Sequence, residues 1–190
     1  MTNSMALRRA SRPSSAPSTG GVGPWLASAH PHPAAVREAW STDARLALIP
    51  LGHLFDAVRL PADVVHLTLA SHDQAVVERR LARHLRGGPV IHDPEGHRYY
   101  ALVPPGTAQD WTAPGAECLG RDVYLGVPRP DLTEPDQVTR HSYWAVPVSR
   151  PGKLCRVRDV LVLATVGGCL ADADADADAD EDEDEDEASA

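Results

Sequence analysis

The sequence predicts an α+β domain in which a mixed or antiparallel sheet is flanked by a few helices, with disordered segments at both ends. Three observations support this prediction. Short apolar runs bounded by Pro and Gly are typical of strands. Longer stretches with apolar residues three or four apart are typical of helices. The two ends are poor in large apolar residues, so only residues 23–168 are expected to fold, while 1–22 and 169–190 are expected to be disordered.

The clearest helix is predicted over residues 71–88. Four apolar residues there recur at helical spacing and form one stripe: Val76, Val77, Leu81 and Leu85. Gly87 and Gly88 follow the stripe, as glycine often does at the end of a helix. Weaker patterns predict three further helices: residues 31–40, 61–71 and 152–167. The last of these is rich in Val and Thr, so a strand is the alternative there.

Strands are predicted where short runs rich in Val, Leu, Ile and Tyr lie between Pro and Gly. Seven such runs occur: residues 45–52, 54–61, 89–93, 97–105, 117–120, 122–128 and 142–148. The third and fourth runs are separated only by Pro94, Glu95 and Gly96, which predicts a hairpin. Because strands and helices are mixed along the chain, the pattern favours one α+β domain.

The charge of the chain is concentrated at its ends. Of the 27 acidic residues, twelve lie from Ala171 onward, and of the 18 basic residues, three lie in the first 22 positions. Fifteen of each sign remain between these ends, so the predicted domain is neutral although the whole chain has a formal charge of -9. A neutral domain argues against non-specific duplex binding, which needs a clustered basic face.

The cysteines and the first residues indicate the compartment. Cys118, Cys155 and Cys169 are scattered and lack the spacing of a zinc site. An odd number of such thiols favours a reducing compartment. The first 22 residues have no apolar core of a signal peptide, and no stretch approaches the roughly 18 uninterrupted apolar residues of a membrane span. The sequence therefore predicts a cytoplasmic protein with no membrane partner.

Four stretches follow one another in a recognisable order. They are LFDAVRLP, a helical stretch, PEGHRYYALVPPG, and GRDVYLGVPRP followed by HSYWAVP. This order resembles that of the bifunctional primase-polymerase domains of the archaeo-eukaryotic primase superfamily, in versions common in high-GC bacteria. The resemblance covers residues 46–148, which is most of the predicted domain.

The resemblance implies a metal site for nucleotidyl transfer. In this family, two acids one residue apart on a strand and a third acid on a later strand hold two divalent metals, which activate the 3′ hydroxyl and neutralise the triphosphate. A histidine on another strand contacts the phosphates. Asp56 matches the first acid, and Glu117 matches the third by spacing. His97 matches the histidine, because Tyr99 follows where the family has its aromatic residue. Val58 occupies the position of the second acid.

An aliphatic side chain cannot ligate a metal, so Val58 removes the support for a pair of metal ions. Asp56 and Glu117 would leave at most one weakly bound Mg²⁺ or Mn²⁺, with His97 and Arg98 beside a phosphate; no other cofactor is expected. The sequence therefore predicts a non-catalytic primase-polymerase-like module with a regulatory or binding role. Its partner stays open between a nucleotide, a nucleic acid and a protein.

Two alternatives to this function stay open. The first is a residual metal-dependent nucleotidyl-transfer enzyme, a DNA primase or polymerase, which requires that Asp56, His97 and Glu117 converge in one open pocket. The second is a protein-interaction domain with no nucleotide binding, which predicts an exposed apolar patch rather than a pocket.

Each candidate residue also has a structural interpretation. Asp56 is explained equally by an acid at a strand end that bonds to a turn. His97 is explained by a polar residue at the start of a hairpin strand, exposed or bonded to neighbouring backbone. Arg98 is explained by the outward position of an alternating strand. Glu117 is identified by its spacing alone.

The tail has the sequence ADADADADADEDEDEDE from Ala171 and is too charged to fold by itself. Its simplest interpretation is a low-complexity segment that keeps the protein soluble. Two functional interpretations stay open. The acidic strip could mimic a nucleic acid and occupy a basic groove, or its carboxylates could bind Ca²⁺ or Mg²⁺ weakly.

Overall fold

The computed structural model describes residues 21–135 and 140–187, and it confirms the predicted α+β class. The helices are α1 (Val22–Ala27), α2 (Pro33–Ser41), α3 (Ala62–Leu69), α4 (Gln74–His84) and α5 (Val157–Glu187). The strands are β1 (Leu46–Pro50), β2 (Asp56–Pro61), β3 (Val90–Asp93), β4 (Arg98–Val103), β5 (Glu117–Leu119), β6 (Tyr124–Pro128) and β7 (Tyr143–Val146). A 3-10 turn lies at Thr107–Gln109.

The predicted helices and strands are present, and α1 is an addition. Within the predicted stripe of α4, Val77, Leu81 and the following Leu85 are buried, while the side chain of Asp73 caps the helix by accepting a hydrogen bond from the Val76 N–H. The alternative of a strand at residues 152–167 is wrong, because α5 occupies that stretch from Val157 onward.

The predicted start of the domain and the predicted loop at residues 129–140 can be compared with the structure only in part. Residues 1–20 of the predicted disordered start lie outside the described residues. Val22 is buried in α1, so the folded part begins at least one residue before the predicted boundary. The predicted loop at residues 129–140 is a loop where it is described, and residues 136–139 lie outside that part.

All strand pairs are antiparallel and form two sheets. The larger sheet has the strand order β5-β2-β4-β3-β7. The predicted hairpin is its β3–β4 pair, with Asp93 opposite Arg98. The smaller sheet, called the ribbon, consists of β1 and β6 alone. β1 and β2 are neighbours in the chain, yet they belong to different sheets.

The two faces of the five-stranded sheet are covered differently. One face, called the helix-covered face, packs against α3, α4 and α5 and carries Val58 and Leu60 of β2, both completely buried. The opposite face, called the ribbon-covered face, packs against the ribbon, α1 and α2 through Ala57, Ile91 and Leu102. Because side chains alternate along a strand, neighbouring residues of β2 belong to different cores.

Two buried tryptophans fasten the ribbon to the rest of the domain. Trp40 of α2 donates its indole N–H to the carbonyl of Val127, at 2.9 Å. Trp144 of β7 donates its indole N–H to the carbonyl of Pro128, at 3.2 Å. Each indole thus buries a large apolar ring and satisfies its one donor at the same time.

Gly167 and Gly168 let α5 approach its neighbours closely. A side chain at Gly167 would collide with the carbonyl of Val64 and the hydroxyl of Thr68 in α3. A side chain at Gly168 would come within 3.1 Å of the carbonyl of Pro114, in the loop before β5. Three further residues on this side of α5 are completely buried: Val160, Leu163 and Ala164.

α5 continues past the predicted domain boundary at residue 168 and ends at Glu187. The sequence predicts disorder from residue 169, and Asp172, Asp174 and Asp176 in this part of the helix are exposed. Like charges four residues apart destabilise a helix, so these turns depend on the packed half of α5 for support. Disorder of the acidic tail stays a prediction.

Candidate functional site

Asp56 is buried at the start of β2, with 1% of its surface exposed. Its Oδ2 accepts a hydrogen bond of 3.0 Å from the backbone N–H of Ala108, in the 3-10 turn. Its Oδ1 is the one buried side-chain oxygen or nitrogen of the described residues without a hydrogen-bond partner. The bond to the 3-10 turn is the structural role that the sequence offered for Asp56.

A small cavity of about 270 Å³ lies beside Asp56. Gly52 and Gly106 form part of its wall, and Arg121 is the cationic side chain among its lining residues. Divalent cations such as Mg²⁺ and Ca²⁺ take six or more oxygen ligands. Asp56 offers only one carboxylate here, and its Oδ2 already accepts a hydrogen bond from the backbone. The cavity therefore holds no ready-made metal centre.

Val58, at the position that the resemblance gives to a second acid, points into the helix-covered core. It is completely buried and belongs to the same cluster as Val65 of α3, Leu81 of α4 and Leu163 of α5. Asp56 lies two residues earlier on the same strand and therefore faces the same side of the sheet. The strand face to which the resemblance assigns two metals is closed by helices.

Glu117 lies on the other side of the sheet from Asp56. In the β2–β5 pair it is opposite Arg59, with which it forms an exposed ion pair. Arg59 is three residues beyond Asp56, so the two carboxylates are separated by roughly 10 Å along the strand and project from opposite faces. The expectation that Asp56 and Glu117 hold one metal ion together is therefore wrong, because their carboxylates cannot reach the same ion.

His97 and Arg98 lie at the opposite end of the sheet from Asp56. β4 pairs Arg98 with Pro61 and its last residue with Asp56, so His97 is roughly 17 Å or more from Asp56. His97 is exposed in the β3–β4 turn with a φ of 50°, and its carbonyl accepts from the N–H of Ala62. Its exposure and backbone bonding match the structural interpretation of this residue.

Arg98 is engaged within the same turn. Its Nε donates to the carbonyl of Gly96 at 2.8 Å and lies 3.7 Å from a carboxylate oxygen of Asp93. Phosphate binding by Arg98 would have to compete with this carboxylate. The structure thus places His97 and Arg98 together, at the end of the sheet away from Asp56. Across the described ranges, no group of three or more His, Cys, Asp or Glu residues is arranged to hold a metal ion.

The sequence did not predict a polar network on the helix-covered face. His92 of β3 stacks on Tyr99 of β4, with ring centroids 4.1 Å apart and planes inclined by 6°. The Nδ1 of His92 lies 3.1 Å from the hydroxyl of Tyr143 in β7, and that hydroxyl donates to Oε1 of Glu78 in α4 at 2.8 Å. The network joins three strands to α4.

The histidine and the two tyrosines of this network are held in their neutral forms. Burial, and then the nearby His66, lower the pKa of His92 to about 4. Burial raises the pKa of Tyr99 to about 12 and also raises the pKa of Tyr143. The histidine therefore stays uncharged near pH 7, and the two tyrosines keep their protons. This indicates a structural hydrogen-bond network rather than an acid–base pair for catalysis.

One signal in the sequence pointed to this network. His92 is two residues after Val90, and Tyr143 is two residues before Ala145, so strand alternation places each polar residue on the face of an apolar core residue. The pattern indicates burial, but it does not identify the partners. Those come from α4, which is remote in the chain from β7.

A cleft of about 350 Å³ opens between the ribbon and the ribbon-covered face. Leu46 and Tyr100 contribute apolar surface, and Asp93, Glu95 and His141 contribute polar groups. Among the described lining residues, the two carboxylates outnumber the one arginine, Arg140, so the cleft offers little net attraction for phosphate groups. The cleft therefore does not favour a nucleotide.

The outer face of the ribbon exposes apolar side chains. Leu48 is 64% exposed and Tyr124 is 58% exposed. In the β1–β6 register, Leu48 is opposite Gly126 and Tyr124 is opposite Pro50. A Cβ at Gly126 would lie 3.0 Å from a methyl group of Leu46, so that side chain extends over the glycine. The result is a continuous apolar surface, called the ribbon patch, formed by Leu46, Leu48 and Tyr124.

No family model matches the chain, and neither a curated protein nor a solved structure matches it. The resemblance to primase-polymerase domains therefore remains a prediction from the residues alone. Within the part of the chain that the structure covers, no helix is both long enough and apolar enough to cross a bilayer.

Proposed function

We propose that this chain is a non-catalytic primase-polymerase-like module that acts by binding another protein through the ribbon patch. The observation that carries the proposal is a contrast between two surfaces. The strand face that the resemblance would use for metals is packed inside the protein, whereas the ribbon exposes Leu48 and Tyr124 to solvent.

The closed face argues against catalysis. A nucleotidyl-transfer site needs carboxylates that can reach metal ions together with a primer and a triphosphate. Asp56 is 1% exposed and bonded to the 3-10 turn, and Val58 is surrounded by helices. Glu117 projects from the other face. These positions also count against the residual-enzyme alternative, which requires one open pocket.

The ribbon patch has the composition of a protein-binding surface. Tyrosine is enriched in protein interfaces because it combines a large apolar ring with a polar end and few rotatable bonds. Exposed charged residues lie just beyond the ends of the two strands, at Arg45 and Asp122. An apolar centre with a charged rim fits a partner that presents an apolar patch of its own.

Primer extension tests the catalytic part of this proposal. With Mg²⁺ or Mn²⁺, the full chain is expected to show no template-dependent synthesis, and nucleotides are expected to leave its melting temperature unchanged with or without metal. Robust synthesis that Asp56→Ala abolishes would overturn the proposal in favour of the residual enzyme.

The binding part is tested by comparing variants against the same extract of the source cells. The double variant Leu48→Asp, Tyr124→Asp is expected to lose a partner that the wild type retains. The double variant Ala34→Asp, Ala75→Asp is the matched control, since it adds two carboxylates at exposed positions of α2 and α4 and should keep that partner. Equal recovery by the wild type and the double variant would contradict a role for the ribbon patch.

A further inference from the structure

α5 carries a second exposed apolar surface, independent of the ribbon patch. Val162 and Val166 are each 44% exposed, and Leu170 is 41% exposed. Their spacing of four residues aligns them along one side of the helix. These three residues are called the outer stripe.

The outer stripe cannot be buried by rotation of α5. The opposite side of the helix is locked against α3 through Leu163, Ala164 and Gly167. A helix that is apolar on all sides is normally covered on all sides. The stretch from Val160 to Leu170 has this all-round apolar pattern, but the domain covers only one side of it. The uncovered side therefore indicates a contact with another molecule.

The charges at the two ends of the outer stripe have opposite signs. Arg158 is exposed before it, and Asp172 and Asp176 are exposed after it. Arg158 and Asp176 are 18 residues apart, which is about five helical turns, so both lie on the same side of the stripe. Among the described residues, none of the three takes part in an ion pair.

We propose that the outer stripe is the contact surface between two copies of this chain, whose α5 helices pack antiparallel and cross at Val166. In this arrangement, the residue n positions after Val166 in one copy lies beside the residue n positions before Val166 in the other copy. Leu170 then packs against Val162. Position 174, midway between Asp172 and Asp176, lies beside Arg158.

Charge also selects the antiparallel orientation. Each chain carries twelve acidic residues from Ala171 onward. Parallel helices would place the two acidic tails side by side, whereas antiparallel helices direct them to opposite ends of the pair. Arg158 of the second copy also relieves the repulsion between Asp172 and Asp176, which are four residues apart on one helix.

The seam is short, so the dimer is expected to be weak and dependent on concentration. Three apolar residues from each copy, with their flanking charges, bury less than the roughly 1,200 Å² at the lower end of stable interfaces. Analytical ultracentrifugation of the full chain from micromolar to millimolar concentration is the appropriate measurement. We expect a reversible monomer–dimer equilibrium that high salt weakens.

Val166→Asp tests the crossing point. It places two carboxylates at the centre of the seam and is expected to weaken the dimer roughly a hundredfold, with an unchanged melting temperature of the monomer because Val166 is half exposed. Ala35→Asp, which adds the same charge at an exposed position of α2, is the matched control and should dimerise like the wild type. A wild type that is monomeric throughout, or a Val166→Asp variant that dimerises normally, would overturn the proposal.

A charge swap tests the end contacts, even if Val166→Asp fails to fold. Arg158→Asp alone and the double variant Asp172→Arg, Asp176→Arg are each expected to weaken the dimer about tenfold. The triple variant that combines these changes should recover the wild-type affinity. Additive weakening in the triple variant would mean that these residues do not face one another.

Engineered cysteines test the orientation. In a Cys169→Ser background, Val166→Cys is expected to form a disulfide-linked dimer under mild oxidation. Val162→Cys should not, because its two copies would be about 12 Å apart along the antiparallel pair. Parallel helices would bring each cysteine to its own counterpart. Equal cross-linking at both positions would therefore contradict the antiparallel arrangement.

Discussion

The two faces of the five-stranded sheet use the same strands in different ways. On the helix-covered face, Val58, Tyr99 and Ala101 are completely buried beneath three helices. On the ribbon-covered face, the ribbon and α1–α2 bury only part of the sheet, and Arg59 and Tyr100 stay partly exposed. Adjacent residues of one strand thus belong to two different cores, and only the core on the ribbon-covered face leaves side chains such as Arg59 and Tyr100 partly exposed.

A motif therefore has to be judged by the strand face on which it lies. Asp56 and Val58 lie on the helix-covered face, whereas Glu117 is exposed on the ribbon-covered face. A strand pattern can match a metal-binding motif in spacing while its side chains point into a core. Burial of Val58 is the stronger objection to catalysis, since it concerns the position of the missing acid.

An acid at position 58 should change the stability more than any other substitution considered. Val58→Asp would place an unpaired carboxylate in the helix-covered core, so we expect a loss of more than about 4 kcal/mol in the free energy of unfolding, measured by urea denaturation. Leu48→Asp makes a similar change at a residue that is 64% exposed and should alter stability by about 0.5 kcal/mol or less. A folded Val58→Asp variant that binds Mn²⁺ would contradict this account of the two faces.

Acidification should weaken the helix-covered face through His92. Its pKa is lowered from 6.5 to about 4 in the folded protein, so the unfolded chain binds the proton more readily. The stability contributed by neutral His92 is present in full above pH 6.5 and is lost as the pH falls towards 4, by up to about 3 kcal/mol. His66, whose pKa is also lowered by burial and by His72, acts in the same direction.

Urea unfolding at several pH values measures this effect. His92→Gln should show a smaller loss of stability than the wild type between pH 6.5 and pH 4.5. His53→Gln, which removes an exposed histidine from the loop between β1 and β2, should keep the wild-type slope. If both variants kept that slope, the network around His92 would not control the acid sensitivity.

Asp56 should stabilise the 3-10 turn through its hydrogen bond with Ala108. Asp56→Ala leaves the N–H of Ala108 without its partner and is expected to cost about 1–3 kcal/mol. Asp56→Asn keeps an acceptor oxygen for that N–H and should lie within about 1 kcal/mol of the wild type. A metal ligand would give a different result, since Asn would then abolish a metal-dependent rise in melting temperature that the wild type shows.

The smallest change in stability is expected for Glu117, on the ribbon-covered face. Glu117→Gln removes the exposed ion pair with Arg59, and such pairs contribute at most about 1 kcal/mol. Thermal unfolding at low and high salt should give a small difference that salt reduces further. A loss of several kcal/mol would show that Glu117 has contacts beyond this pair.

Much of the secondary structure could be predicted, because it depends on spacing within short windows. The buried residues of α4 follow a helical period, and Pro94–Gly96 mark the β3–β4 hairpin. The pairing of β1 with β6 could not be predicted in this way, since it joins Leu46 to Pro128 across most of the domain. The His92–Tyr143 contact could not be predicted either, because the two residues are 51 positions apart in the chain.

The candidate site shows the same division. The sequence supplied Asp56, His97 and Glu117 as residues of suitable chemistry, together with a structural role for Asp56. Strand register then separated them, because a shift of three residues along β2 changes both the distance and the face.

Composition and local period suffice to predict the α+β class, the order of most elements, the neutral domain and its acidic tail. They do not predict which strand faces are covered, which apolar residues of the ribbon and α5 stay exposed, or which polar groups meet. Those outcomes depend on contacts between distant segments, and burial at each position follows from what the rest of the chain packs against it.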